Sequence, residues 1–163
     1  MDVQKIFSAM LGLYCGDVRR IQHFTKVWAY AFFIGKKEGL DPKTQNILEA
    51  AALVHDIGIH KCEEKYGECG GKLQEKEGPP IAEKLLSDIG IERGIIDRVC
   101  FLVAHHHTCR ADSIDWQILL EADFLVNAYE DNLLKDAVYN GYKNIFRTDA
   151  GKEILRKMFD LEE

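Results

Sequence analysis

Four stretches place imidazoles and carboxylates where helical spacing calls for apolar side chains. In DWQILLEADFLVNAY, Asp123 sits among Leu119, Leu120, Phe124, Leu125 and Val126. A carboxylate there is costly to desolvate unless a cation satisfies it. The alternative is a narrow polar stripe shared with Glu121 or Glu130. His55 and Asp56 follow the small-residue run ILEAAALV, just before Gly58. They offer the adjacent nitrogen and oxygen ligands that divalent metals accept. His23, inside RRIQHFTKVWAYAFF, lies between a polar and an apolar face. His105, His106 and His107 are consecutive after RVCFLVA. Neighbours on a helix diverge by about 100°, so the three cannot all meet one ion, and His107 is expected to turn away. Each stretch alone also reads as a satisfied core histidine, or as a polar helix end near the negative pole of its dipole.

The elements that must position these residues are helical. Val3, Ile6, Phe7, Met10, Leu11 and Tyr14 form one apolar face over residues 3–14. Asp17 is a good N-cap for a longer helix reaching about Lys37, closed by Gly39. Asp41-Pro42 opens a third helix running to Gly58, with proline in the first turn, where its missing N–H does no harm. Residues 60–78 are charged and glycine-rich with little apolar periodicity, and read as a loop with one short helix. Pro79-Pro80 is expected to start the next helix, ended by Gly90. Segments 92–107, 114–129 (capped by Ser113), 131–145 and 149–160 complete the pattern. No alternating β-branched run of strand length occurs, so an all-α bundle of about seven to nine helices is expected, as one domain over residues 1–163.

Composition narrows the function classes. In 163 residues, 47% are hydrophobic and 29% charged, a globular balance. The formal charge of -6 disfavours a binder of nucleic-acid polymers. No apolar run is long enough to span a membrane, and the N-terminus lacks a signal-peptide pattern, so a cytoplasmic protein is expected. Cys15, Cys62, Cys69, Cys100 and Cys109 form no CxxC pair and read as free thiols; Cys62 and Cys69 could meet around a turn.

Together the segments RIQHFTKVWAYA, EAAALVHDIG, LVAHHHT and ILLEADFLVN, in that order over about residues 18–130, resemble the HD superfamily of metal-dependent phosphohydrolases. The helices of 131–163 would complete the bundle. The resemblance implies that His23, His55, Asp56 and Asp123 hold a divalent metal, with both aspartates suited to bridge a second metal or position a water. His105 and His106 match a histidine pair that serves a second metal in some members. The position before the Gly-Pro turn, a histidine in those members, is Glu77 here, in EKEGPP. Lys61, a few residues after the HD pair, matches a phosphate contact, and Lys72 is a second candidate.

The activity implied is hydrolysis of a phosphoester by metal-activated water, with one or two divalent ions (Fe, Mn, Ni, Co, Zn or Mg). Asp56 or Asp123 would orient the nucleophile, and His106, Lys61 or Glu77 would protonate the leaving oxygen. The 61–78 segment could close over the substrate. The expected substrate is a nucleotide or another small phosphorylated metabolite, acted on by a monomer or homodimer without membrane or nucleic-acid partners. A di-iron oxygenase of the same superfamily and a catalytically silent metal-binding signalling module are the alternatives.

Overall fold

Short polar side chains cap helices where the sequence offers them. Asp17 accepts from the Arg20 amide at 3.1 Å, and Asp41 from the amides of Lys43 and Thr44 at 2.9 and 3.2 Å. The structure, a computed structural model, describes residues 2–108 and 110–161. Within them the chain forms nine helices: α1 (Val3–Leu13), α2 (Val18–Lys37), α3 (Pro42–Val54), α4 (Ile59–Tyr66), α5 (Gly71–Asp88), α6 (Arg93–Val103), α7 (Ile114–Glu130), α8 (Lys135–Asn144) and α9 (Asp149–Phe159). No strand occurs among the described residues. None of these helices is long and apolar enough to cross a membrane.

α3 is the central element. Its Ala50-Ala51-Ala52 run is fully buried, which lets neighbouring helices approach closely, and α1, α2, α6 and α7 all pack on it. Leu48, Leu53, Val54, Leu119 and Leu125 are without exposed surface, each burial worth about 1.5–3 kcal/mol. α7 is pinned to the chain after α8 by the buried carboxylate of Glu121. That group accepts from Gln117 Nε2 (2.7 Å), the amides of Arg147 (2.6 Å) and Thr148 (3.0 Å), and the Thr148 hydroxyl. Glu121 is therefore a structural anchor rather than part of an exposed stripe.

Three local expectations are corrected. Residues 60–78 are not mainly loop: they hold α4 and the first half of α5. The buried face of that half-helix is made of Gln74 and Gly78, which do not register as apolar. Pro79 and Pro80 lie inside α5 rather than at its start. Their missing N–H groups remove two bonds of the helical ladder, a loss offset by packing of α5 along α6 and α4. Ser113 precedes α7 but makes no capping bond; its Oγ accepts from Arg98 at 2.6 Å, while Arg98 also grips Asp115 with two bonds. The four described cysteines are free thiols, Cys62 buried and Cys15 exposed, and Cys109 lies outside the described residues.

Candidate metal centre

The site forms where α2, α7, the turn after α3 and the turn after α6 converge. His23 lies in the buried face of α2, and Asp123 in the middle of α7. His55 caps the C-terminus of α3, with Asp56 next to it. The Tyr14 hydroxyl donates to the Asp56 carbonyl at 2.9 Å and holds this turn. The turn also presses on α5: a Cβ on Gly58 would stand 2.8 Å from the Gly78 nitrogen, so only glycine fits there without a backbone shift. His106 follows α6 and is buried.

Each of the three buried rings has its Nδ1–H committed outward. His55 donates to the Ala52 carbonyl (2.9 Å), His106 to the Val103 carbonyl (2.7 Å) and His23 to the Glu130 carboxylate (2.9 Å). In the neutral ring the Nε2 lone pair then points inward. His23 Nε2 and His55 Nε2 are 3.2 Å apart. Asp123 Oδ1 lies 3.3 and 3.4 Å from them, and Asp56 Oδ2 lies 3.4 and 3.5 Å. Lone pairs and carboxylate oxygens so placed repel one another unless positive charge sits among them. Asp123 Oδ1 makes the same point, since it is buried with no hydrogen-bond partner.

A divalent cation fits this set. Ligands at tetrahedral corners, each about 2.1 Å from a centre, stand about 3.4 Å from one another, the separation seen among His23 Nε2, His55 Nε2 and Asp123 Oδ1. A second cluster adjoins the first: Asp56, His106 and His107 bring one ligand atom each within 4.8 Å of one another. Asp56 stands between the two, with Oδ2 3.4 and 3.5 Å from the Nε2 atoms of His23 and His55 and Oδ1 3.4 Å from His106 Nε2. The Gln74 amide oxygen lies 3.3 Å from His106 Nε2 and 3.1 Å from His107 Nε2.

Without a metal, protons meet the demand for positive charge. Burial disfavours a charged His55, yet the carboxylates of Asp56 and Asp123 outweigh it and raise the ring to about 9. His23 is raised too, against burial, by Asp123 and Asp56. Burial opposes ionisation of the carboxylates, but the rings of His55 and His106 lower Asp56 to about 2, and His23 and His55 hold Asp123 well below the usual range. His107 moves the other way, lowered by burial and by its neighbour His106.

Several residues singled out in the sequence are not brought to the centre. The His105 ring stacks on Phe101 with centroids 4.3 Å apart, meets Trp116 edge-on, and donates to the Phe101 carbonyl. It packs α6 against α7, and the pair facing the centre is His106 with His107. Glu77 accepts from Lys65 (2.8 Å) and the Tyr66 hydroxyl (2.7 Å), which lower its pKa and keep it on the α4–α5 surface. Lys61 is half exposed and reaches Glu64 at 3.4 Å. It lines a separate groove with Tyr14, Ile57 and Ile81.

Four residues of the site region escape the sequence reading as contributors. Glu130, two turns after Asp123 on the same helical face, orients His23 and is itself held by Lys26 at 2.6 Å. Gln74 and His107 are the second and third. The fourth is Arg19, one turn before His23, which lines the cleft leading to the centre with Arg20, Ile59, Asn127 and Asp131.

Fold and site together define a class: an all-helical bundle built around a buried imidazole–carboxylate centre. The HD domain model matches residues 20–137, and the chain belongs to that family. In fold it is similar to the crystal structure of a predicted HD superfamily hydrolase from an uncultured Thermotogales bacterium. The TM-score is 0.69 at 22% identity, covering 96% of this chain and 84% of the other. No curated protein matches the sequence.

Proposed function

We propose that the protein, as a single HD domain, is a metal-dependent phosphohydrolase that cleaves the phosphoester of a small metabolite. The observation that carries this reading is the buried, unpartnered Asp123 Oδ1 facing two inward Nε2 lone pairs. His23, His55, Asp56 and Asp123 would hold one divalent cation, and Asp56, His106 and His107 a second. Such a cation supplies Lewis acidity, making water a nucleophile near neutral pH and offsetting charge on phosphoryl oxygens.

The chain's own groups do the rest. Glu130 and the Ala52 carbonyl lock the rings of His23 and His55 in one tautomer and orientation. Asp56 or Asp123, kept ionised, orients the attacking water, whose proton passes to solvent in the cleft. Of the proton donors considered for the leaving oxygen, only His106 faces the centre; Lys61 and Glu77 are engaged elsewhere. With one cation bound, His106 serves as that acid; with two it is a ligand, and the proton comes from solvent in the cleft.

The test is phosphate release by tag-free protein loaded with Mn, Fe, Co, Ni, Zn or Mg, beside Asp56→Ala. We expect turnover with at least one metal, and loss of both turnover and bound metal in the variant. Phosphate release retained by Asp56→Ala overturns the reading, as does the absence of turnover with every metal on a broad phosphoester panel. Bound iron without phosphatase activity would move the assignment to an oxygenase.

A further inference from the structure

The cleft above the centre has two walls of unlike chemistry. From α2 come Arg19 and Arg20, and from the end of α7 come Asn127 and Glu130, followed by the capping residue Asp131. Arg20 is fully engaged, with Asp17 at 2.6 Å and Glu63 at 2.5 Å. Glu130 is engaged with His23 and Lys26. Three lining side chains remain without a hydrogen-bond or ion-pair partner among the described residues: the exposed guanidinium of Arg19, the half-buried amide of Asn127 and the exposed carboxylate of Asp131. Arg19 lies one turn before His23, and Asn127 one turn after Asp123, so both stand over the candidate ligands.

Size and surface restrict what fits between them. The cleft encloses about 180 Å³, below the roughly 300 Å³ at which pockets for drug-sized ligands begin. Among the described residues that line it, Ile59 is the one apolar side chain and the His23 imidazole the one aromatic ring, and that ring is committed to Glu130 and the candidate ligands. Bases are commonly held by stacking on aromatic faces. Tyr129, the exposed aromatic of α7, is not part of the wall, and Lys26 lies over its ring. A guanidinium matches a phosphate. A carboxylate and a primary amide match hydroxyl groups, to which they offer three acceptor oxygens and two N–H donors.

Building on the phosphohydrolase reading, we propose that the substrate is the phosphomonoester of a small polyhydroxylated molecule, a polyol or sugar phosphate. Its phosphate is anchored by Arg19, and its hydroxyls are read by Asn127 and Asp131. Arg19 binds substrate and makes no bond in the reaction.

Steady-state phosphate release is measured on glycerol phosphate, pentose and hexose phosphates, nucleoside 5′-monophosphates and p-nitrophenyl phosphate, with wild type, Arg19→Ala, Arg19→Lys and Asp131→Ala. Polyol or sugar phosphates should have the highest kcat/KM, by about tenfold or more. Arg19→Ala should raise their KM roughly tenfold or more, the scale of a lost charge-assisted contact, with a smaller change in kcat and partial rescue by lysine. Calorimetric affinity for inorganic phosphate should fall in parallel. Asp131→Ala should narrow the preference for polyol phosphates over p-nitrophenyl phosphate. Hydrolysis that favours nucleotides or p-nitrophenyl phosphate overturns this substrate class and leaves the phosphohydrolase standing. Unchanged KM and phosphate affinity in Arg19→Ala overturns the anchor. No phosphate release from any ester removes both readings.

Discussion

Stripping metal from this centre should make the protein less stable as pH rises from 6.5 to 9, the reverse of what acid-sensitive proteins show. The perturbation is treatment with a chelator followed by pH change. In the metal-free fold the His55 ring titrates at about 9 against an ordinary value of 6.5. A group whose folded pKa is raised contributes stability that is fully present below its unfolded pKa and is lost as pH climbs through the folded one. At ~1.36 kcal/mol per pKa unit, that gap is worth about 3 kcal/mol, and His23, also raised, adds to it. For a chain of this length the loss corresponds to roughly 6–12 °C in Tm. Other groups do not cancel the trend. Asp56 and Asp123 are depressed, so the stability they provide is lost only as pH falls through their low folded values. The thiols of Cys69 and Cys100, raised to about 12 and 11, act above pH 9. The assay is urea unfolding followed by circular dichroism at pH 6.5, 7.5 and 9, with and without a saturating divalent metal. Metal should abolish the decline, because the ion replaces the protons and binds better as they leave. A metal-free protein whose stability is flat or rising across this window would refute the charge accounting of the centre.

Further expectations concern the residues around the ligands. Glu130→Gln leaves His23 in place but weakens its orienting bond, and should lower metal affinity about 10–100-fold in chelator competition; an unchanged affinity would count against the orienting role. His105→Ala should keep its full complement of metal by elemental analysis while losing about 1–2 kcal/mol from the Phe101–Trp116 stack. His106→Ala should lose any second equivalent, and the opposite pattern would restore His105 as the ligand. Gly58→Ala puts a Cβ 2.8 Å from the Gly78 backbone at the N-cap of α4, a position that itself prefers glycine to alanine. It should cost roughly 1–3 kcal/mol by thermal melt and displace Asp56.

Much of the fold was legible along the chain because helix formation is a local matter. The apolar faces of α1, α2, α3, α6 and α7, and the caps at Asp17 and Asp41, involve residues within a turn or two of one another. The first half of α5 was not legible, since its buried face is Gln74 and Gly78 and it continues through Pro79 and Pro80. Hydrophobic spacing cannot signal a face made of an amide and a missing side chain; packing on α4 and α6 supplies it.

The same division runs through the candidate site. His23, His55, Asp56 and Asp123 were conspicuous because ionisable groups on apolar helical faces need a partner, and that need can be read from neighbours in sequence. Which partner they meet is a long-range matter. Glu130 was visible only as a polar position on α7 until the crossing of α2 and α7 set it against His23, 107 residues away in the chain. Three consecutive histidines share one composition, and only the turn after α6 sends His105 to Trp116 and His106 inward. Lys61 and Glu77 have suitable chemistry at suitable spacing, yet α4 and α5 carry them to other partners. Residue types declare which groups demand charge compensation, because desolvation is a property of the group and its nearest neighbours. The tertiary structure chooses the compensating partner, because bringing distant helices within 3–4 Å is the work of the whole core.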